Sequence, residues 1–318
     1  MSLPNLKIGY VVDPICQLNF AKDSTVALMH EAQQRGFENY AITLPDLFSE
    51  NGSARARMDR VYVEETSYRS TDVGVRGLEE MDLVLMRKDP PVDLAYSMAL
   101  DVLNRVNEQK TLVLNRPASL QQLNEKTLVC QFPEWAPDIL LTASVAHIRS
   151  FLQSHESAVI KPTNLMGGRS IYLLRRTDPN LSVILEDMTR RQRRYVVVQE
   201  YLPEIVRGGD ERLLFINGKM VPYGIARIPA PGDHRGNLAR GATARGFSPQ
   251  AHHRAIERSL GPFFRKWGLF FVGIDIIGGK LTEINITSPT GISEIRKLSG
   301  IDAAALFFDT LLKSSFNN

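Results

Sequence analysis

The sequence predicts an α/β fold with a parallel sheet at its start, followed by an α+β region with antiparallel strands. Apolar strand-like runs alternate with helical patterns over residues 6–120, which is typical of strand–helix–strand units. Strand-like runs follow one another over residues 210–290, and Asn217-Gly218 between two of them favours a hairpin turn. A chain of 318 residues is long enough for two or three packed units.

The first elements show how this pattern is built. Residues 6–12 form an apolar run that ends at Asp13-Pro14, so we expect a strand leading into a loop. Apolar residues recur at helical spacing over residues 24–34, where Asp23 or Ser24 can cap a helix and Gly36 can end it. The same reasoning predicts strands over residues 40–44, 81–86 and 111–114, and helices over residues 94–107 and 118–129.

The rest of the chain is organised differently. Residues 45–80 are polar and irregular, with residues 61–64 as a candidate edge strand, and a first boundary is expected near residue 120. The smaller unit that follows is predicted to contain strands over 139–141, 158–161, 171–174 and 195–200, and helices over 145–153 and 181–188. A further helix over residues 249–266 interrupts the antiparallel strands.

Composition excludes several classes of function. Lys and Arg number 38 and Asp and Glu 35, and a net charge of +3 is too small to indicate a nucleic-acid partner. The chain has neither an uncharged apolar stretch near the ~20 residues that a membrane helix needs nor the start of a signal peptide. Its two cysteines fit a reducing compartment. We therefore expect a cytoplasmic protein with no membrane or nucleic-acid partner.

A lysine beside a glycine-rich loop is the first candidate site. Lys161-Pro162 ends a predicted strand, and Met166-Gly167-Gly168 follows shortly after it. An ammonium group supplies positive charge, and glycines allow backbone N–H groups to approach phosphate oxygens. The alternative is an ordinary hairpin loop with an exposed lysine. No Gly-Lys-Ser/Thr follows, so this is not the phosphate loop of P-loop enzymes.

The register of a hairpin over residues 270–285 decides what its side chains can do. A two-residue loop at Gly278-Gly279 would place the apolar Ile274 opposite the acidic Glu283. A three-residue loop places Asp275 opposite Glu283 and leaves a consistently apolar surface on the other face. The pattern therefore favours the three-residue loop.

This second register brings like charges together. It pairs Ile277 with Leu281, and the carboxylates of Asp275 and Glu283 then face and repel each other. A divalent cation would turn this repulsion into attraction, and Asn285 adds a neutral oxygen on the same face. Such oxygen donors suit Mg²⁺. The alternative is a solvated polar face with Arg or Lys nearby.

Basic and polar loops form a third group of candidates. They are Arg87-Lys88-Asp89 at a predicted strand end, Arg227, and Arg235-Gly236-Asn237. Ligands of parallel sheets bind at the carboxyl ends of the strands, and arginines there can clamp carboxylates with paired hydrogen bonds. Taken one at a time, each of these residues is more often an ordinary surface residue.

These motifs, in this order, resemble those of bacterial glutathione synthetases of the ATP-grasp superfamily. The resemblance runs from residue 8 to about residue 316. Its carriers are Val12-Asp13-Pro14, Asn51-Gly52-Ser53-Ala54-Arg55-Ala56, Leu85-Met86-Arg87-Lys88-Asp89-Pro90-Pro91, Asn124-Glu125-Lys126, Lys161-Pro162, Met166-Gly167-Gly168, Tyr201-Leu202-Pro203, Ala226-Arg227-Ile228-Pro229, Arg235-Gly236-Asn237-Leu238-Ala239, Leu281-Thr282-Glu283-Ile284-Asn285 and Thr287-Ser288-Pro289-Thr290.

The resemblance implies an ATP-grasp fold preceded by an N-terminal α/β parallel-sheet domain. The parts would be the N-terminal domain over residues 1–122, the ATP-grasp lid subdomain over 123–203 and the catalytic subdomain over 204–318. The implied activity joins γ-glutamylcysteine to glycine with ATP, through an acyl phosphate, and yields glutathione, ADP and phosphate. Small peptide and amino-acid substrates are then the expected partners, and a homotetramer the expected assembly.

The same resemblance implies a role for each site residue. Residues implied to bind ATP are Lys126, Lys161, Met166, Gly167, Gly168, Gln199, Glu200, Tyr201, Leu202 and Asp210. Two Mg²⁺ or Mn²⁺ ions would be bound by Asp275, Glu283 and Asn285. The catalytic residues that act on the transferring phosphate would be Arg212, Arg227 and Asn237. The residues implied to bind the peptide and amine substrates are Arg87, Ser288, Pro289, Thr290 and Glu294.

Departures from the family pattern leave two alternatives open. They lie at Asn164-Leu165 before the glycine loop, at Arg240 and Ala242 in a second glycine-rich segment, and at Gly291 and Ser293. One alternative is a sister ligase that uses another peptide or amine. The other is an ATP-binding protein without catalysis. The presence of Lys126, Lys161, Asp275, Glu283 and Asn285 argues against this second alternative.

Overall fold

Three β-sheets and the helices around them make up the part of the chain that this computed structural model describes, residues 5–165, 168–230 and 242–315. Among the described helices, none has both the length and the apolar character needed to cross a membrane.

The first sheet has a parallel centre, as predicted. Its strands are β1 (Lys7–Val11), β2 (Glu38–Ile42), β3 (Leu47–Glu50), β4 (Ser53–Val63), β5 (Tyr68–Gly77), β6 (Leu83–Met86) and β7 (Leu112–Leu114). The order is β3-β4-β2-β1-β6-β7, with β5 paired to β4. Strands β2, β1, β6 and β7 run parallel to one another. Strand β4 runs antiparallel to its three partners, β2, β3 and β5. The associated helices are α1 (Ser24–Gln34), α2 (Leu94–Leu103) and α3 (Pro117–Gln122).

Helix α1 has the boundaries that the sequence predicts. The Asp23 carboxylate accepts a hydrogen bond of 2.6 Å from the Thr25 N–H, which caps the helix. Gly36 lies just past its end with a φ of 82°, a conformation that glycine adopts without strain. Leu28 and Met29 are fully buried, so the apolar face of the helix packs on the sheet.

The prediction of irregular structure over residues 45–80 was wrong, because the segment forms β3, β4 and β5. Along β4, Ala54 and Ala56 are buried while Arg55 and Arg57 point to the more exposed face. This alternation has the period of a strand. The first two buried side chains are small, and polar residues separate all the buried ones up to Val61, so no apolar run marks the strand.

The helix predicted over residues 118–129 is also wrong in extent. Helix α3 ends at Gln122, and a separate 3-10 turn covers Leu128–Gln131. Between them, the Asn124 Oδ1 accepts from the Lys126 N–H at 3.0 Å, and its Nδ2 donates to the Thr163 carbonyl at 3.0 Å. Side-chain bonds of this kind compete with helix formation, so the segment is held to neighbouring structure instead.

The second sheet is smaller and entirely antiparallel. Its strands are β8 (Ile139–Thr142), β9 (Ser157–Pro162), β10 (Tyr172–Arg175) and β11 (Val196–Glu200), in the order β10-β9-β11-β8. Helices α4 (Val145–Ser154) and α5 (Leu181–Met188) pack on one face. Their buried Ile148, Leu152 and Leu185 join the sheet in a separate hydrophobic core.

The third sheet confirms the predicted antiparallel region. Its elements are α6 (Ile205–Gly208), β12 (Asp210–Ile216), β13 (Lys219–Met220), β14 (Gly224–Ile228), β15 (Thr243–Phe247), α7 (Ala251–Lys266), β16 (Phe271–Ile277), β17 (Lys280–Asn285), α8 (Ile292–Ser299) and α9 (Ala303–Ser315). The strand order is β15-β14-β12-β16-β17, with β13 on β12. Asn217 and Gly218 have φ values of 48° and 70°, as the predicted hairpin turn requires.

The turn between β16 and β17 differs from the prediction. Ile277 pairs with Lys280, so the loop has two residues and the predicted pairing of Ile277 with Leu281 was wrong. Gly278 and Gly279 have φ values of 56° and 81°. Two residues with positive φ form the tight turn that best matches the twist of a hairpin, so local turn geometry outweighs the side-chain pattern here.

A β-bulge nevertheless restores the predicted meeting of acidic residues. Ile276 pairs with Leu281, but Asp275 pairs with Glu283, so Thr282 is an extra residue on β17. The Thr282 hydroxyl donates to the Asp275 carbonyl at 3.2 Å and holds this bulge. The predicted juxtaposition of Asp275 and Glu283 is therefore confirmed, although the route to it was different.

The first and third sheets are joined directly. The Asn115 Nδ2, just after β7, donates to the carbonyls of Phe271 at 2.8 Å and Ile286 at 2.7 Å. Its Oδ1 accepts from the Phe271 N–H at 2.9 Å. Two hydrophobic clusters each contain side chains from both sheets, so the two sheets share their core.

Candidate functional site

A cavity of about 320 Å³ lies between the second and third sheets. Strands β9 and β11 supply one wall, and β12, β14, β16 and β17 supply the other. The site residues predicted from sequence that line it are Lys126, Lys161, Gly168, Gln199, Glu200, Tyr201, Leu202, Asp210, Arg212, Arg227, Asp275, Glu283, Asn285, Ser288 and Thr290. Met166, Gly167 and Asn237 lie outside the described residues.

Three oxygen-bearing side chains meet on the β16–β17 hairpin. Asp275 lies across from Glu283, and the Asn285 Nδ2 donates to the Asp275 Oδ2 at 3.1 Å. The Arg212 guanidinium holds both Asp275 oxygens at 2.5 and 2.8 Å, and Arg227 approaches the Oδ1 at 2.8 Å. The hairpin and its two neighbouring strands thus place a cluster of opposite charges at one end of the cavity.

The charge state of this cluster follows from its ion pairs. Burial alone would raise the pKa of Asp275, but Arg212 and Arg227 outweigh burial and hold this pKa far below its ordinary value. Asp210 lies 2.5 Å from the Arg227 guanidinium. Burial raises the pKa of Asp210 to about 7, since the attraction of Arg227 is partly offset by the negative charge of Asp275. Asp275 is consequently the more strongly ionised of the two buried acids.

Two lysines approach the same end of the cavity from the other side. The Lys126 ammonium forms an ion pair with the Glu283 carboxylate, and both side chains are largely buried. The Lys161 ammonium donates to the Gln199 Oε1 at 2.7 Å, and burial lowers the pKa of Lys161. The Gln199 Nε2 donates to the Thr282 carbonyl at 3.3 Å, which ties β11 to the bulge. The site therefore combines convergent ammonium groups with convergent carboxylates.

Apolar side chains also line the cavity, and sequence reasoning did not assign them to the site. They are Val159, Ile171, Ile205 and Ile277. Val159 precedes Lys161 by two residues and Ile277 follows Asp275 by two, so strand periodicity could have placed both on the site face. Ile171 comes just before β10, although the predicted strand included it, and Ile205 begins the four-residue helix α6, so a strand period marks neither of them.

Asp89 belongs to the third group of candidates from the sequence, which named it at a strand end but gave it no role. It lines the cavity, and burial raises its pKa. Its N–H donates to the Asp13 Oδ2 at 3.3 Å, and Asp13 pairs with Lys88 at 3.0 Å. The signal was its position at the end of β6, where ligands of parallel sheets bind.

Three of the predicted substrate residues lie beside the cavity instead of lining it. Arg87 is buried, and its guanidinium donates to the Pro289 carbonyl at 3.1 Å and to the Thr25 hydroxyl at 3.2 Å. Burial lowers the pKa of Arg87. Arg87 therefore lies directly against the Ser288–Thr290 segment, to which the bond with the Pro289 carbonyl ties it. Glu294 lies in the first turn of α8, where its Oε2 is buried without a hydrogen-bond partner among the described residues.

Two adjacent histidines and a glutamate lie close together outside the cavity. Glu211, His252 and His253 have side-chain ligand atoms within 4.8 Å of one another. The Gln250 N–H donates to the His253 Nδ1 at 2.9 Å, so the neutral imidazole carries its proton on Nε2, which lies 3.1 Å from the Glu211 carboxylate. With both ring nitrogens committed, His253 caps α7 and offers no lone pair to a metal.

Two family models match the chain almost from end to end. The model described as "Prokaryotic glutathione synthetase, N-terminal domain" matches residues 6–121. The model described as "Prokaryotic glutathione synthetase, ATP-grasp domain" matches residues 125–300.

Curated relatives agree with the family models. The chain is 44% identical over 293 residues to a glutathione synthetase of Photorhabdus laumondii subsp. laumondii, covering 91% of this chain and 92% of the relative. It is 41% identical over 309 residues to that of Escherichia coli O127:H6, covering 96% and 98%.

Solved structures share the fold at low sequence identity. A crystal structure of the D-cycloserine synthetase DcsG has a TM-score of 0.69 at 16% identity, covering 96% of this chain and 99% of that one. The ATP-grasp ligase PsnB, complexed with a phosphomimetic variant of its minimal precursor, Mg and ADP, has a TM-score of 0.64 at 18% identity, covering 97% and 98%. These likenesses confirm an ATP-grasp fold behind an N-terminal α/β sheet. The chain therefore belongs to the prokaryotic glutathione synthetases, a family of ATP-grasp ligases.

Proposed function

We propose that this protein joins γ-glutamylcysteine to glycine at the expense of ATP, with release of glutathione, ADP and phosphate. The observation that carries the proposal is the meeting of Asp275, Glu283 and Asn285 with Lys126 and Lys161 at one end of a single cavity. Paired carboxylates flanked by ammonium groups suit a nucleoside triphosphate with its metal ions. Family membership supports the same conclusion.

The metal ions would be held by Asp275, Glu283 and Asn285. Two carboxylates and an amide are hard oxygen donors, so the residues present fit Mg²⁺, and Mn²⁺ as a substitute. We propose two ions, since the triphosphate supplies further oxygens. Bound there, they would neutralise the negative charge that the phosphates bring.

The nucleotide would lie along the cavity with its base against the apolar side chains. The adenine edge would meet the strand end formed by Gln199, Glu200, Tyr201 and Leu202, and Asp210 would approach the ribose. Lys126 and Lys161 would contact the phosphates, and the loop of Met166, Gly167 and Gly168 would cover them.

Catalysis would depend on positioning and on charge neutralisation. A carboxylate does not react with an amine until phosphate transfer makes it an acyl phosphate, whose phosphate can leave. Arg212, Arg227 and Asn237 would stabilise the charge on the transferring group. The second sheet, as a lid, would exclude the water that hydrolyses an acyl phosphate.

Substrate recognition would involve the loop after β17. Ser288 and Thr290 line the cavity, and Arg87 beneath them holds a buried positive charge that suits a substrate carboxylate. Pro289 and Glu294 would complete this region. Gly291 has a φ of 129°, which side-chain-bearing residues rarely adopt, so a glycine is required where the loop enters α8.

A phosphate-release assay tests the reaction and its substrates. Purified protein with ATP and Mg²⁺ is given γ-glutamylcysteine plus glycine, or a panel of other peptide and amine pairs. We expect turnover with the first pair and the mass of glutathione in the product. Turnover only with another pair would identify a sister ligase, a reading that Gly291 and Ser293 motivate. ATP binding without any turnover would identify a catalytically silent protein.

The larger organisation is proposed on the same grounds. We propose a division into an N-terminal domain (1–122), a lid subdomain (123–203) and a catalytic subdomain (204–318), and a homotetramer in the cytoplasm. Limited proteolysis tests the division, and mass photometry at working concentration tests the assembly.

A further inference from the structure

Glu125 is a buried acid whose position the chemistry described so far does not use. It lies between α3 and the 3-10 turn at Leu128–Gln131, is 9% exposed, and does not line the cavity. A single oxygen, Oε1, accepts three hydrogen bonds, from the Ile286 N–H at 2.7 Å, the Thr287 N–H at 2.8 Å and the Thr287 hydroxyl at 2.8 Å. These partners lie more than 160 residues away in the sequence.

The partners of Glu125 lie between two groups of proposed site residues. Ile286 and Thr287 separate the end of β17, which carries Asn285, from the segment that begins at Ser288. The Glu125 carbonyl also accepts from the Ile284 N–H, at 3.4 Å. The segment that follows β17 therefore rests on Glu125 through its backbone as well as through a side chain.

The residues on either side of Glu125 reach other parts of the same site. Asn124 donates to the carbonyl of Thr163, which leads toward the glycine-rich loop, and Lys126 pairs with Glu283. Three consecutive side chains thus contact two segments around the cavity, one at Thr163 and one over residues 283–287. Glu125 is the middle one and the most firmly bonded.

A buried carboxylate costs free energy of folding unless hydrogen bonds or an opposite charge compensate for its lost water. Burial raises the pKa of Glu125, and the neighbouring Lys126 and the Thr287 N–H oppose this rise. Charge-assisted bonds to backbone N–H groups are roughly twice as strong as neutral ones, so an ionised Glu125 holds these groups more firmly than an amide could.

We infer that Glu125 is a positioning residue: it fixes residues 286–287 against Lys126, and so sets the places of Asn285 before them and Ser288 after them. The inference rests on the proposed function for the meaning of those two places. Loss of the Glu125 charge should let both Asn285 and Ser288 shift from their places. Metal binding and peptide binding should then weaken in the same variant.

The test compares Glu125→Gln with wild type in four measurements. These are Mn²⁺ affinity by electron paramagnetic resonance in the presence of ADP, ADP affinity in EDTA, KM for each substrate, and the melting temperature. Glutamine keeps an oxygen acceptor but not the charge. We expect Mn²⁺ affinity to fall about 10-fold, the scale seen when an outer partner of a metal ligand is lost. KM for the peptide should rise with it, while ADP affinity in EDTA and the melting temperature change little.

A second pair of variants covers the case in which Glu125→Gln does not fold. Thr287→Val removes only the hydroxyl donor, whereas Thr287→Ser keeps it. We expect Thr287→Val to show the same joint loss, about 2- to 3-fold, in line with one modest hydrogen bond. Thr287→Ser should restore wild-type values.

The outcomes separate the inference from the proposed function. Unchanged Mn²⁺ affinity and KM in Glu125→Gln, with only a lower melting temperature, would overturn the positioning role. So would a Thr287→Val variant indistinguishable from Thr287→Ser. If wild type turned over no substrate pair, the proposed function would fail, but the Mn²⁺ and ADP measurements would still decide whether Glu125 positions Asn285.

Discussion

At the scale of single residues, Glu283 occupies the place in the site where charge should matter most. Its carboxylate lies across the strand pair from Asp275 and contacts the Lys126 ammonium. Replacement by glutamine keeps the shape but removes the charge that binds a divalent cation. We expect Glu283→Gln to lower turnover at least about 100-fold at fixed Mg²⁺, since a metal ligand is weakened directly. Phosphate release measures the loss, and circular dichroism checks that the fold is kept.

The same substitution at the surface provides the control for Glu283→Gln. Glu108 is exposed in the loop after α2, so Glu108→Gln should leave turnover unchanged. Near-normal turnover of Glu283→Gln at saturating Mg²⁺ would contradict the assignment of Glu283 as a metal ligand.

Lys126 and a divalent cation compete for the same carboxylate. Removing the ammonium in Lys126→Met should raise the affinity for Mn²⁺ without nucleotide, by on the order of 10-fold, because like charges a few ångströms apart in a buried site repel strongly. Nucleotide affinity should fall in the same variant if Lys126 binds phosphate. Electron paramagnetic resonance measures the first change, and calorimetric titration of ADP measures the second.

Lys161→Met is the matched control for this competition. Among the residues that the structure describes, the Lys161 ammonium bonds the Gln199 amide oxygen and not a carboxylate. Its loss should weaken nucleotide binding but raise Mn²⁺ affinity much less than Lys126→Met does. A Lys126→Met variant with unchanged or weaker Mn²⁺ binding would show that Lys126 does not compete with the metal.

Residue-scale reasoning from the sequence succeeded where a period of two applied. Alternation on β16 and β17 was enough to bring Asp275 and Glu283 together. It could not reveal the extra residue Thr282, because a bulge leaves no mark in the apolar pattern. Two errors, a loop one residue too long and a missing bulge, cancelled beyond the bulge and left the acidic pair correct.

At the scale of secondary-structure elements, a histidine just after the end of α4 makes a contact that depends on its protonation. Both ring nitrogens of His155 face oxygen atoms, the Phe151 carbonyl at 2.8 Å and the Asp138 carboxylate at 3.0 Å. Burial lowers the pKa of His155, but these two bonds outweigh it and raise the pKa above its ordinary 6.5. A protonated imidazole at a helix C-terminus is also favoured by the helix dipole.

Stability should therefore depend on pH through His155. The folded-state pKa is raised, so the contribution is complete below about pH 6.5 and is lost as pH rises through the folded pKa. We expect Asp138→Asn to be less stable than wild type at pH 6, by less than about 1 kcal/mol because Asp138 is largely exposed. The difference should vanish near pH 9, as measured by urea unfolding.

A second exposed aspartate serves as the control for this pH dependence. Asp101 in the last turn of α2 pairs with Arg105, which lies just after the helix, and no histidine is involved. Any effect of Asp101→Asn should be the same from pH 6 to pH 9. A difference between wild type and Asp138→Asn that grows with rising pH would show that protonated His155 does not stabilise the fold through Asp138.

Elements were predictable where apolar runs or caps marked them and not elsewhere. Helix α1 was predicted at both ends because Asp23 and Gly36 are chemical signals at fixed positions. Only the end of strand β4 was predicted, as a candidate edge strand over residues 61–64, because its earlier inward side chains include Ala54 and Ala56, which contribute shape but little hydrophobicity. The helix predicted through residue 129 failed because Asn124 bonds to a distant segment, which no local pattern can indicate.

At the scale of the whole molecule, the N-terminal sheet and the third sheet should unfold together. They share two hydrophobic clusters. Asn115 adds three buried hydrogen bonds between them, and its side chain is the polar link from the end of β7 to β16 and the residue after β17. The third sheet carries the acidic hairpin, so the N-terminal sheet supports the site without lining most of it.

Removing this link tests the shared stability. Asn115→Ala would leave the Phe271 N–H and the carbonyls of Phe271 and Ile286 buried without their partner. Such groups cost roughly 1–3 kcal/mol each, and partial access of water should limit the total, so we expect a loss of about 3 kcal/mol. Urea unfolding followed by circular dichroism measures the loss. Asn104→Ala, which removes one exposed bond to Gln121, should change stability by less than about 0.5 kcal/mol.

The form of the transition decides between a shared core and two sheets that merely touch. If the sheets form one cooperative unit, Asn115→Ala should move the whole transition to lower urea with an unchanged slope, because the slope follows the surface exposed in a single step. Trp267, whose carbonyl accepts from the Ser119 hydroxyl at the same junction, offers a fluorescence signal near the link. Its transition should coincide with that from circular dichroism. A variant in which the two signals separate would mean that Asn115, and not the common hydrophobic core, makes the unfolding cooperative.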